Sequence, residues 1–301
     1  MRLDDYRSSD NVRDDGEGSG GGVGLGGGGG GMFGLLLSLV GSRFGLVGVL
    51  LVVGAAILFG GNPLALMGGG QQALPDRPAT RQGAAQACAA GPAQRFSCQV
   101  LASTEDTWGK LFAAQGQSYR PTTLVFYRNS DSSGCGAAQS AMGPFYCPTD
   151  KSVYLDTSFY DELKTRFGAP GDFAQAYVVA HEVGHHVQDL LGLLPRVTAQ
   201  QQQLDAKAAN ALQVRVELQA DCYAGVWAAN NRDRIEPGDV EEGLRAAHAI
   251  GDDVLQQQAQ GRVVPDSFTH GSAAQRMAWL KKGLDTGDPA RCDTFAAGAD
   301  A

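Results

Sequence analysis

The pattern of apolar and polar residues divides the chain into four successive regions. Residues 1–31 are polar and then glycine-rich, and residues 32–59 are apolar with Arg43 as their one charged residue. A glycine-rich stretch buries little apolar surface, so we predict a disordered tail over 1–31. Residues 61–87 hold prolines and a glycine run, which are typical of a linker. A folded domain is expected over 88–301.

The apolar stretch approaches the length of a membrane span. A spanning helix needs roughly 20 apolar residues; residues 44–59 fall short, but residues 32–40 extend them if Arg43 reaches the interface. A signal peptide is the alternative, although its apolar part would normally start nearer the beginning of the chain. The scattered glycines disfavour a buried soluble helix. We therefore predict one transmembrane helix over 32–60, through which the protein contacts membrane lipid.

The placement of basic residues and cysteines predicts the orientation of this anchor. The basic residues up to the anchor are Arg2, Arg7, Arg13 and Arg43, and the next is Arg77. This bias favours a cytoplasmic N-terminus. All six cysteines follow the anchor, as in an exported, disulfide-bonded domain. We expect a single-pass protein of the cell membrane with a cytoplasmic tail and an extracytoplasmic domain.

The cysteines and the net charge narrow the chemistry further. Short spacing favours the disulfides Cys88–Cys98 and Cys135–Cys147 among the possible pairings. The chain has no C-x-x-C motif, which disfavours a cysteine zinc site. Its net charge of −8 disfavours nucleic acid as a partner.

Within the domain, the pattern predicts few strands followed by many helices. Strands are expected where β-branched and aromatic residues cluster, and helices where apolar residues recur at helical spacing. The expected strands are 122–128 and 151–156, and the expected helices are 100–112, 159–167, 172–191, 197–230, 239–260 and 272–283. This order indicates an α+β fold that is mostly helical.

One predicted helix carries the motif His181-Glu182-Val183-Gly184-His185. Positions 181 and 185 share one helix face, so both histidines can bind one Zn²⁺ ion. Glu182 would then lie beside the metal, placed to take a proton from water. The alternative is a chance match on a buried helix. However, three of the five histidines fall at 181, 185 and 186, and burying such groups without partners would be costly.

A catalytic zinc ion usually has three protein ligands, so one more must come from elsewhere. Glu217 and Asp221 lie four residues apart on one face of a predicted helix. Glu217 could bind the metal while Asp221 accepts the free ring N–H of a zinc histidine. A solvated helix face, which Arg215 would suit, is an equal alternative from spacing alone.

The surrounding sequence resembles the bacterial, membrane-anchored neutral zinc metallopeptidase family. The similar stretches are 9–12, 134–136, 143–148, 153–156, 171–188, 217–225 and 268–272. The resemblance implies a zincin-like domain, in which we expect a small antiparallel sheet. It also implies Zn²⁺ bound by His181, His185 and Glu217, with Glu182 as the base. Finally, it implies that His270 lines the active site, with Arg276 nearby to orient it or to bind substrate.

The sequence thus predicts a zinc-dependent endopeptidase with protein or peptide substrates. Two alternatives remain: a metal-stabilised binding module at the membrane with little or no activity, and a zinc hydrolase of non-peptide bonds. The strand at 151–156 is a candidate edge for pairing with an extended substrate, with Lys151 marking its open side. His186 and His248 are expected to be structural.

Overall fold

The computed structural model describes residues 1–17 and 80–299. The predicted transmembrane helix over 32–60 and most of the predicted linker over 61–87 therefore lie outside the described residues. Among the helices in the two described ranges, none has the length and apolar character needed to cross a bilayer.

The described residues form six strands and nine α-helices. The strands are β1 (Val12–Glu17), β2 (Thr123–Arg128), β3 (Ser130–Ser133), β4 (Gly136–Gln139), β5 (Phe145–Cys147) and β6 (Ser152–Leu155). The helices are α1 (Arg81–Ala89), α2 (Pro92–Ala114), α3 (Phe159–Thr165), α4 (Asp172–Leu190), α5 (Leu193–Gln201), α6 (Ala206–Ala229), α7 (Asp239–Ala249), α8 (Asp252–Gln260) and α9 (Ala273–Thr286). The mostly helical α+β class is as predicted.

The main sheet is mixed, so the prediction of an antiparallel sheet is wrong. Its strand order is β1-β2-β6-β5. The pairs β1–β2 and β2–β6 are parallel, and only β5–β6 is antiparallel. Residues 129–151, which include the separate β3–β4 hairpin, are long enough to return the chain to the same end of the sheet before β6 begins.

The first seventeen residues belong to the folded domain. Leu3 and Val12 are almost fully buried, and burial of each such side chain stabilises the fold by about 1.5–3 kcal/mol. The Met1 amino group lies 2.7 Å from Asp172 Oδ1 and 3.0 Å from Asp239 Oδ2. The prediction of a disordered tail is therefore wrong for residues 1–17, which pack against the start of α4.

Two long predicted helices are each divided in two. Residues 202–205 separate α5 from α6, where the Asp205 side chain accepts a hydrogen bond from Ala208 N and caps α6. Ile250 and Gly251 separate α7 from α8, since the backbone is extended at Gly251. A side chain at Gly251 would overlap the Ala273 backbone. The domain also begins before the predicted boundary at 88, since α1 occupies part of the predicted linker.

Close helix packing brings the two motif-bearing helices together. A Cβ atom at Gly184 of α4 would lie 3.0 Å from the Ala220 carbonyl oxygen of α6, so glycine permits the tight approach. Disulfides form between Cys88 and Cys98, between Cys135 and Cys147, and between Cys222 and Cys292. The first two join the pairs expected from short spacing. The third fastens α6 to the segment after α9.

Candidate metal centre and catalytic cleft

Three side chains from α4 and α6 converge on one point. The Nε2 atoms of His181 and His185 lie 3.2 and 3.5 Å from Glu217 Oε2. All three residues are buried or nearly so. Ligands about 2.0–2.1 Å from a tetrahedral zinc ion would be about 3.3 Å apart. The two nitrogens and the carboxylate oxygen therefore have the chemistry and the spacing of three corners of a tetrahedral zinc site.

The His181 ring is held by a buried carboxylate. Asp221 Oδ1 lies 2.8 Å from His181 Nδ1, and Asp221 also accepts hydrogen bonds from the Tyr177 hydroxyl and the Arg276 guanidinium. Burial would raise the pKa of Asp221, but Arg276 and His181 outweigh it and lower the pKa to about 2. Because Asp221 stays ionised, it accepts the Nδ1 proton and leaves the Nε2 lone pair of the neutral ring facing Glu217.

Without a metal, the same carboxylates favour a charged His181. Burial opposes this charge, but Asp221 and Glu217 together raise the pKa of His181 to about 10. A protonated imidazole cannot bind a metal ion, so zinc binding at this site must release a proton.

The His185 ring is held by an amide that the sequence analysis missed. Its Nδ1 lies 2.9 Å from Gln188 Oε1. The Gln188 amide nitrogen donates to the Val216 carbonyl oxygen and to Gln219 Oε1, at 2.7 and 3.0 Å. Gln219 in turn donates to the Cys292 carbonyl oxygen. Gln188 Oε1 can only accept, so Nδ1 carries the proton and Nε2 is left free for a metal. The sequence signal for Gln188 was its position three residues after His185, one helical turn away.

Glu182 lies beside these groups and lines a large cleft. It is 7% exposed, and its carboxylate accepts no hydrogen bond from the residues that the structure describes. The residue next to the candidate ligand His181 thus presents an acceptor to the cleft that is available to a water molecule or a substrate.

His270 lines the same cleft, in the turn before α9. Its Nδ1 lies 3.3 Å from Asp252 Oδ1, and Asp252 Oδ2 accepts hydrogen bonds from the backbone N–H groups of residues 269–271. The His270 side chain is about half exposed at the cleft surface. Partial desolvation opposes a positive charge, but Asp252 and Glu217 raise the pKa of His270. Arg276 contacts Asp221 and Tyr177, whereas Asp252 is the acidic partner of His270.

The cleft has a volume of about 1050 Å³ and passes between β5 and α8. Apolar side chains line much of it, among them Met142, Phe145, Phe167, Val197 and Leu255. The expectation that residues 151–156 form the open edge is wrong, because β6 lies between β2 and β5. The strand at the sheet edge beside the cleft is β5.

His186, next to the second motif histidine, contacts a different part of the domain. Its Nε2 lies 2.6 Å from the Arg120 carbonyl oxygen, and its Nδ1 lies 3.0 Å from the Tyr146 hydroxyl of β5. Burial lowers the pKa of His186. It therefore joins β5 to α4 and does not belong to the ligand set.

The H-E-x-x-H helix, the glutamate on a following helix and the cleft define the arrangement of a zinc metallopeptidase. The chain belongs to the family described as "putative neutral zinc metallopeptidase", whose profile matches residues 1–295. The match thus extends from the N-terminal segment through the cleft, and the family implies zinc as the metal.

Curated relatives match over most or all of their length. The uncharacterized protein YpfJ of Escherichia coli (strain K12) is 49% identical over 299 residues, which are 98% of this chain and 99% of that protein. The uncharacterized protein Rv2575 of Mycobacterium tuberculosis is 46% identical over 222 residues, which are 68% of this chain and 73% of that protein. No solved structure matches the chain.

Proposed function

We propose that the protein is a zinc-dependent endopeptidase that hydrolyses peptide bonds in protein or peptide substrates. The observation that carries the proposal is the convergence of His181 Nε2, His185 Nε2 and Glu217 Oε2 in the wall of an open cleft. Beside them lies the Glu182 carboxylate, which accepts no hydrogen bond from the residues that the structure describes. A purely structural zinc site would usually be closed by four protein ligands, whereas here three ligands face a space large enough for a peptide.

The chain supplies binding, orientation and proton transfer. Zinc, when bound by the two histidines and Glu217, supplies Lewis acidity toward a carbonyl oxygen and makes water more acidic. The Glu182 carboxylate accepts the proton of the attacking water and delivers it to the nitrogen of the departing amine. Asp221 and Gln188 hold the two imidazoles in the tautomer that leaves Nε2 free.

His270 is proposed to stabilise the charge that develops on the scissile carbonyl oxygen. Because Asp252 and Glu217 raise the pKa of His270, its ring is expected to carry both protons. With Nδ1–H directed at Asp252, the Nε2–H of the protonated ring is the group left to donate into the cleft. Such a donor acts as the negative charge forms, and so raises turnover more than substrate binding. An extended peptide would lie along β5, where backbone groups at the sheet edge are available for pairing.

Peptide cleavage by the intact, zinc-loaded protein tests the proposal. We expect mass spectrometry to show cleavage of a peptide library, loss of cleavage with a chelator, and recovery on adding zinc. Glu182→Gln should retain zinc and fold, because Glu182 is not a ligand, but should lose about 10²–10⁴-fold in kcat.

Two results would contradict this function. Cleavage of peptides by Glu182→Gln at the parental rate would remove Glu182 as the base. If the zinc-loaded parent hydrolysed only ester or amide substrates that lack a peptide bond, the protein would be a different hydrolase. If it hydrolysed no substrate at all, the protein would be a binding module.

A further inference from the structure

The third candidate ligand, Glu217, is held by an amide side chain one helical turn before it. Glu217 Oε2 faces the imidazoles of His181 and His185, whereas Glu217 Oε1 accepts a hydrogen bond of 2.9 Å from the Gln213 amide nitrogen. Gln213 lies four residues before Glu217 in α6, so the two side chains share one helix face. The two oxygens of the Glu217 carboxylate thus have different partners.

The Gln213 amide is itself held by the end of α5. The amide nitrogen of Gln201, the last residue of α5, lies 3.2 Å from Gln213 Oε1 and 3.1 Å from the Ala209 carbonyl oxygen of α6. Because an amide oxygen only accepts hydrogen bonds, Gln201 selects the orientation in which the Gln213 nitrogen faces Glu217. The three side chains therefore form a hydrogen-bonded series along the wall of the cleft.

This series differs in its surroundings from the groups that hold the histidines. Asp221 and Gln188 are fully buried, whereas Gln213 and Gln201 are half-buried at the cleft. The last torsion of a glutamate side chain is broad, so a hydrogen bond to one oxygen is needed to fix the plane of the carboxylate. Among the residues that the structure describes, Gln213 is the donor to Glu217 Oε1.

We propose that Gln213 is a positioning residue for the third zinc ligand and that Gln201 acts through it. By fixing the plane of the Glu217 carboxylate, the Gln213 amide reduces the conformational freedom that Glu217 would lose on binding the metal. A ligand that is held in its binding orientation before the metal arrives binds with higher affinity. This inference rests on the zinc site of the proposed function and is independent of peptide cleavage.

The zinc affinity of the purified full chain tests the role of Gln213. Gln213→Met keeps the length of the side chain and removes the donor, so we expect the affinity, measured by competition with a fluorescent chelator, to fall about 10–100-fold. The visible spectrum of the cobalt(II)-loaded variant should also differ from the parental one, because it depends on the arrangement of the ligands. Gln257→Met, the same substitution at an exposed glutamine of α8, is the control and should match the parent in both measurements.

A double variant tests the role of Gln201. Gln201→Met alone should weaken zinc binding, and in the Gln213→Met background it should cause no further loss; a further loss would overturn its action through Gln213. Parental zinc affinity and a parental cobalt spectrum in folded Gln213→Met would overturn the whole proposal. Failure of the peptidase function gives a different result, which is a parent that binds zinc and cleaves no peptide while Gln213→Met still binds zinc more weakly.

Discussion

At the scale of single residues, each candidate histidine ligand is held through Nδ1 by a different kind of acceptor. His181 faces the carboxylate of Asp221, and His185 faces the amide oxygen of Gln188. A carboxylate makes an imidazole ring more basic than an amide oxygen does. We therefore expect His181 to donate more charge to a bound metal than His185, although both rings have the same tautomer.

Glu217 is expected to be indispensable for metal binding. Glu217→Ala removes one of three ligands and leaves the two imidazoles, so zinc content after dialysis should fall to a small fraction of the parental value. Glu241→Ala, which removes an exposed glutamate from α7, is the matched control and should retain zinc. Metal analysis of both purified variants checks this, and parental zinc in Glu217→Ala would place the third ligand elsewhere.

Gln188 is expected to act through His185. Gln188→Ala leaves Nδ1 of His185 without its acceptor, so we expect zinc affinity to fall about 10–100-fold. Competition with a fluorescent chelator measures the affinity. Gln203→Ala, at an exposed loop position, should bind zinc like the parent. An unchanged affinity in Gln188→Ala would show that the amide does not orient the ligand.

The sequence predicted the side chains that converge in the cleft better than the groups that hold them. His181, Glu182 and His185 stand in a local motif, and helical geometry alone places both histidines on one face. Gln188 and Asp252 have no such motif, because their roles depend on contacts with Val216, Gln219 and the turn at 269–271 that form only in the folded chain.

At the scale of elements, the break between α7 and α8 has a function that helical periodicity could not reveal. The sequence pattern continues through residues 250 and 251, but the backbone is extended at Gly251. Ala273 packs against Gly251 so closely that a side chain there would overlap it. The break makes Asp252 the first residue of α8, where its carboxylate accepts hydrogen bonds from the backbone that carries His270.

We expect His270 and Asp252 to behave as one unit. His270→Ala should keep zinc and lose about 10²–10³-fold in kcat with little change in KM. Asp252→Ala should also lower kcat. The kcat of the double variant should be no lower than that of His270→Ala. Asp266→Ala, at an exposed aspartate, is the control.

Steady-state kinetics with zinc analysis decides whether this coupling exists. Multiplicative losses in the double variant would show that Asp252 acts independently of His270. Near-parental kcat in His270→Ala, with full zinc occupancy, would remove His270 from the mechanism.

At the scale of the whole molecule, the N-terminal segment is the feature that the pattern analysis missed. The glycines over 18–31 led to the prediction that all of 1–31 is disordered. Residues 1–17 have few apolar side chains, but these suffice because they pack against a core that the rest of the domain forms. Val12 is fully buried because β2 and α1 already provide its surroundings. Non-local pairing of this kind leaves little periodic signal in six residues.

Leu3 provides a test of this packing. Leu3 is 1% exposed, so Leu3→Ala should lower the free energy of unfolding by about 2–5 kcal/mol through lost burial and a residual cavity. Asp4→Ala, at the exposed neighbouring position, should change it by less than about 0.5 kcal/mol. Urea unfolding with the disulfides intact measures both. Equal stabilities would mean that the segment contributes little to the core.

The pairing of β1 with β2 also imposes an order of events during biosynthesis. Val12 leaves the ribosome 112 positions before its partner Leu124, which at about 5–20 residues per second is roughly 6–22 seconds. The apolar stretch at 32–59 is synthesised within that interval. The first strand is thus complete and unpaired throughout that interval, and the sheet can close only after residues 123–128 have followed it out of the ribosome.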